Sequence, residues 1–133
     1  MAANTSPIFP LTPIIGIGSL ASATAVTSRA NITGTTGLTQ LTATSTNGTK
    51  IDAITVKATA TSVASNLFIW IYNGTTSYLY DEFDVTAITA GNTTDSFLLT
   101  KAYAYLVLPP TYQLYISQTV QTNLTAYALG GTY

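Results

Sequence analysis

Residues 66–84, NLFIWIYNGTTSYLYDEFD, decide the fold. Two runs of aromatic and β-branched residues flank Asn73-Gly74, the dipeptide that most readily supplies both positive-φ positions of a type I′ turn, so the stretch predicts a β-hairpin. On its first arm Leu67, Ile69 and Ile71 point one way and Phe68, Trp70 and Tyr72 the other. Both faces are therefore apolar, unlike a half-solvated strand with one polar face. Such a strand needs two covers. One is the opposite sheet of a sandwich; the other is either more of the same chain or a second subunit, and periodicity alone does not separate the two. On the subunit reading, Phe68, Trp70 and Tyr72 are interface residues.

The composition around this hairpin points to the same class. Only 7% of the 133 residues are charged, while 47% are hydrophobic; ordinary globular chains carry roughly a quarter charged residues. Threonine takes the place of the missing charge, and its branched Cβ suits a pleated surface better than a helix. The length fits one domain that buries about two-thirds of its extended surface. Arg29, Lys50, Lys57 and Lys101 are scattered and the net charge is −1, so no basic face exists to neutralise phosphates, and no nucleic-acid partner is expected. A surface so weakly charged does little to repel like copies, which suits an assembly subunit. Cysteine is absent, which excludes disulfides, zinc-thiolate sites and thiol nucleophiles. No apolar run approaches the roughly 20 residues that span a bilayer, and the first residues lack the basic region of a signal peptide, so neither a membrane partner nor export is expected.

Along the chain, residues 1–28 have no charged side chain, and Pro7, Pro10 and Pro13 recur every third residue. That is the period of polyproline II, with Ile8, Leu11 and Ile14 along the next edge. The pattern predicts an extended arm over residues 1–20, whose Pro7, Ile8, Phe9, Pro10, Leu11, Pro13, Ile14 and Ile15 lie against a partner surface, a neighbouring subunit, or the arm's own sandwich. Residues 21–133 then form a single β-sandwich domain. Within it a weak edge strand is predicted around 26–32, a hairpin over Asn47-Gly48 between 38–45 and 49–61, and the hairpin of residues 66–84. Further strands are predicted at 97–99, at 104–108 before the corner at Pro109-Pro110, at 112–119 and at 124–129, with a turn at Gly91-Asn92. About eight short strands at 8–12-residue spacing, with no helical period, predict an all-β, two-sheet antiparallel sandwich of the jelly-roll kind.

The residues for most chemistry are missing. Without histidine, no Ser-His-Asp, Cys-His or imidazole-metal site can be assembled. Acid-base work would fall to Asp52, Asp81, Glu82, Asp84 and Asp95. Only Asp81, Glu82 and Asp84 cluster; Glu82 and Asp84 share a strand face, where a pair could hold calcium with backbone carbonyls or simply keep a sheet edge from pairing. The second reading is preferred, so no enzyme, no catalytic residue, no metal and no cofactor are expected. Six of seven asparagines begin an Asn-X-Ser/Thr triplet, as a Thr-rich chain readily generates. The nine tyrosines suit a subunit interface and sugar stacking equally well.

Taken together, TSPIFPLTPIIGIG (5–18), STNGTKIDAITVKATATS (45–62), LFIWIYNGTTSYLYDEFDVTAIT (67–89), LVLPPTYQLYIS (106–117) and YALGGTY (127–133) resemble a family of small tailed-bacteriophage head proteins, the capsid decoration or cement proteins. The likeness is one of segment order along nearly the whole chain. It implies a jelly roll that assembles as a homotrimer on the outer surface of the virion capsid, with the major capsid protein as partner and head stabilisation as function. From other classes, a trimeric fibre-tip or spike domain binding host glycans, or a surface-array or filament subunit, would share the tyrosines and the low charge.

Overall fold

A computed structural model describes residues 9, 10 and 12–133, and their regular elements are all strands. In chain order these are β1 (Thr12–Ser19), β2 (Ile32–Thr33), β3 (Thr39–Gln40), β4 (Thr49–Ala58), β5 (Ser65–Tyr72), β6 (Thr76–Val85), β7 (Leu98–Leu108), β8 (Gln113–Gln118) and β9 (Leu124–Thr132). They form a four-stranded sheet, β1-β9-β4-β7, and a five-stranded sheet, β2-β6-β5-β8-β3. Four pairings nest inside one another, β1 with β9, β3 with β8, β4 with β7 and β5 with β6, all antiparallel. This is one long hairpin rolled up into two sheets, the jelly-roll topology expected from the sequence.

Between the sheets lies the main core. Ile51, Ile54 and Val56 of β4 and Leu124, Ala126 and Ala128 of β9 meet Leu67 and Ile69 of β5 and Leu114 and Ile116 of β8, all essentially without solvent contact. The period-2 alternation of β5 therefore holds: Leu67 and Ile69 face this core, and Phe68 and Trp70 face away from it.

Several local expectations are corrected. Thr12–Ser19 is no arm but an edge strand paired with β9 from Thr12↔Thr132 to Ser19↔Thr125. Proline every third residue masked this, because an edge strand tolerates Pro13, which has no partner to donate to on its open side. The hairpin over Asn47-Gly48 does not form. β3 lies in the other sheet against β8, while β4 pairs with β7 and β9, so residues 41–48 cross between the sheets. Of the strand predicted at 26–32 only Ile32 is in a regular element, the two-residue β2. The runs predicted at 97–99 and 104–108 belong to one strand, β7, paired with β4 from Lys57↔Leu98 to Thr49↔Leu108, and the Lys101 and Tyr103 that interrupt the apolar pattern reach across to a carboxylate of the opposite sheet. In the hairpin of β5 and β6 only Gly74 has positive φ, +96°, so the turn is not type I′. The side-chain Oδ1 of Asn73 instead accepts from the amides of Thr75 and Thr76.

Candidate functional site

The second cover of β5 comes from its own chain. Residues 21–40 run over the outer face of the five-stranded sheet, where Val26, Ile32 and Leu38 pack on Phe68, Trp70 and Tyr115. Trp70 donates its indole Nε1–H to the Ser117 hydroxyl at 2.9 Å. The Arg29 guanidinium stands 5.0 Å from the centre of the Phe68 ring and pairs with Glu82 at 2.6 Å. Phe68 and Trp70 are fully buried in the single chain. They are therefore not interface residues, and Tyr72, half-buried at the margin of the same cluster, is stacked edge-on against Tyr115. The signal for this cover was weak, because Val26, Ile32 and Leu38 are single apolar residues in a Ser/Thr/Gly-rich stretch without period.

With that face closed, exposed apolar surface gathers on the other sheet. Cross-strand register aligns Ile15, Leu129, Ala53 and Ala102 in one row and Ile17, Tyr127, Thr55 and Thr100 in another. The intervening rows, Gly16-Ala128-Ile54-Lys101 and Gly18-Ala126-Val56-Leu99, turn inward. Ile15, Ile17, Leu98, Tyr105 and Val107 are all half or more exposed, and all lie on β1 or β7, the two edges of this sheet. Natural sheets usually blunt an open edge with charge. The stretch of β6 beyond its short pairing with β2 carries Glu82 and Asp84, whereas β1 has no charged residue and β7 only Lys101, which is paired with Asp81.

The sequence-predicted arm residues divide accordingly. Pro7, Ile8 and Leu11 lie outside the described residues. Phe9 is exposed, and Pro10 packs over Gly131, where an added Cβ would come within 2.5 Å of the proline ring. Pro13, Ile14 and Ile15 are strand residues; Ile14 packs on the core while Pro13 and Ile15 face solvent.

Four of the carboxylates are engaged. Glu82 and Asp84 do share the outer face of β6, opposite Phe68 and Asn66, but Glu82 holds Arg29 and Asp84 accepts from Asn66 Nδ2 at 2.7 Å. Asp52 pairs with Lys50 at 2.8 Å. Asp81 bridges the sheets, accepting from Lys101 Nζ at 2.7 Å and from the Tyr103 hydroxyl at 2.8 Å. Burial alone would raise its pKa, but these bonds and the Glu82 amide outweigh that and hold the carboxyl below its usual range. Burial, then the hydrogen bond to Asp81, pushes the Tyr103 phenol well above its usual value. Among the described residues no three His, Cys, Asp or Glu side chains gather as a metal-holding group, and no helix is long and apolar enough to cross a membrane.

A pocket of about 280 Å³ opens at the β1 edge, lined mainly by Ile14, Ile15 and Gly16, by Thr42 and Ala43 of the crossing segment, and by Thr132. Compared with known protein families, curated proteins and solved structures, the chain matches none of them.

Proposed function

We propose that this chain is a non-enzymatic structural protein of a phage virion, a decoration or cement protein that binds the outer surface of the capsid as a homotrimer and stabilises the head. The observation that carries the reading is the placement of exposed hydrophobic side chains on the two edges of one sheet, of which β1 has no charge and β7 only Lys101. A monomer gains nothing from leaving such residues in water, and a subunit held among copies of itself and a shell does. The resemblance in segment order supplies the choice of shell. Each contact can be modest, because three linked copies raise effective concentration and multiply affinity by factors of about 10² to 10⁴.

The test is to add the purified chain to phage heads lacking it, sediment them, and image them. Saturable occupancy at three-fold and local three-fold positions is expected. A chain that stays in the supernatant at every head concentration would remove the reading. A glycan-binding fibre tip is the second reading, favoured by the half-exposed Tyr78 and Tyr80 beside Asp81. Specific retention on immobilised glycans, without retention on heads, would select it.

A further inference from the structure

Tyr105 is the most exposed large hydrophobic residue of the described chain, with 94% of its surface open to solvent. A bulge puts it there. Ile51 pairs with Leu106 and Ala53 with Ala102, so residues 103–105 of β7 oppose Asp52 alone, and the extra residues re-aim the side chain outward. The pocket at the β1 edge lies on the opposite edge of the same sheet. Both are at one height along the strands. The rows Ile14-Gly130-Ile51-Leu106 and Ile15-Leu129-Ala53-Ala102 bracket the bulge on β7 and run straight to the pocket-lining residues on β1.

We propose that copies of this chain join edge to edge, the Tyr105 ring of one copy seated in the β1-edge pocket of the next. The sizes are compatible: an apolar cavity of about 150 Å³ suffices for benzene, and this pocket, open on one side and mostly apolar in its lining, offers about 280 Å³. Charge does not oppose the contact, since β1 has none and Lys101 of β7 is paired with Asp81. Strand direction agrees as well. The four-stranded sheet alternates throughout, so β1 of the next copy placed beside β7 continues the antiparallel order. A knob on one edge and a hole on the other make a heterologous contact, which closes a ring when the rotation between copies permits. The inference rests on the oligomeric part of the proposed function and names the surface through which that oligomer forms.

Because the chain has no cysteine, placed thiols report the contact directly. Single variants Tyr105→Cys and Ala43→Cys, mixed and mildly oxidised, should link to each other and not to themselves, and the double variant should give a covalent ladder that stops at the ring size. Tyr105→Ser and Ala43→Trp, both at exposed positions, should each weaken self-association at least tenfold in sedimentation equilibrium, with the circular dichroism spectrum and melt unchanged. Self-linking of the Y105C variant, an oligomer mass that neither surface substitution alters, or a wild-type monomer up to about 100 μM would each overturn the contact. Formation of the 105–43 link by a chain that never sediments with heads would leave this contact standing and remove only the capsid.

Discussion

The indole Nε1–H of Trp70 donates to the Ser117 hydroxyl at 2.9 Å inside a layer that residues 21–40 close over the outer face of the five-stranded sheet. Trp70 is the only tryptophan and has no solvent exposure. Its emission should be blue-shifted and independent of protein concentration, since its cover belongs to the same chain. Trp70→Ala should cost about 3–5 kcal/mol in denaturant unfolding. A red shift on dilution would mean that the cover comes from a neighbour instead.

Gly16 has no room for a side chain. An added Cβ would fall 1.8 Å from the Leu41 carbonyl oxygen, on the main chain of the segment that crosses between the sheets. Gly16→Ala should force β1 away from Leu41 and destabilise the fold by about 1–3 kcal/mol or more. An unchanged melting temperature would show that β1 shifts outward without cost.

Truncation distinguishes strand from arm. Deleting residues 2–15 removes Thr12 to Ile15 from the ladder with β9 and takes the Ile14 side chain from the core, so the melt should fall clearly. Deleting 2–8 leaves that ladder whole and should leave the melt near wild type. Equal melts for the two truncations would mean that the first half of β1 contributes nothing to stability.

Asp81 and Tyr103 set the pH limits of stability. The depressed Asp81 pKa means that the unfolded chain binds the extra proton, so its contribution is present above about pH 4 and lost as pH falls further. The raised Tyr103 pKa works in the opposite sense: its contribution is present below about pH 10 and declines in stronger alkali. With no histidine, the melting temperature should be flat between about pH 6 and 8. Asp81→Asn should reduce the acid fall, and an acid limb identical to wild type would assign it to another carboxylate.

Thr111 follows Pro109-Pro110 with φ +70°, its amide held by the Ser45 carbonyl at 3.0 Å. A left-handed conformation costs a residue with a side chain about 1–2 kcal/mol, which glycine escapes at an entropic cost of about 0.5–1 kcal/mol. Thr111→Gly should therefore be neutral to stabilising by up to about 1 kcal/mol. A marked loss would show that the threonine side chain holds the corner.

Composition and alternation alone determined the class of fold and the two-faced burial of β5. Both are local properties: threonine and β-branched residues favour pleated backbone, and a strand with Leu67 and Ile69 on one face and Phe68 and Trp70 on the other must be covered twice wherever it lies. The absence of histidine and cysteine likewise bounds the chemistry whatever the fold.

Tertiary structure decided which partner each strand takes and what supplies each cover. Asn47-Gly48 carries the same turn dipeptide as Asn73-Gly74, yet β3 and β4 separate into different sheets, because the nested pairing of β1 with β9 and β3 with β8 is set by contacts far apart in sequence. Pro13 reads as an arm until β9 lies beside it. Tyr105 is one tyrosine among nine in the sequence. It becomes the outward knob of an edge strand only because a bulge in a pairing 50 residues distant turns it there, and register of that kind is a property of two strands together.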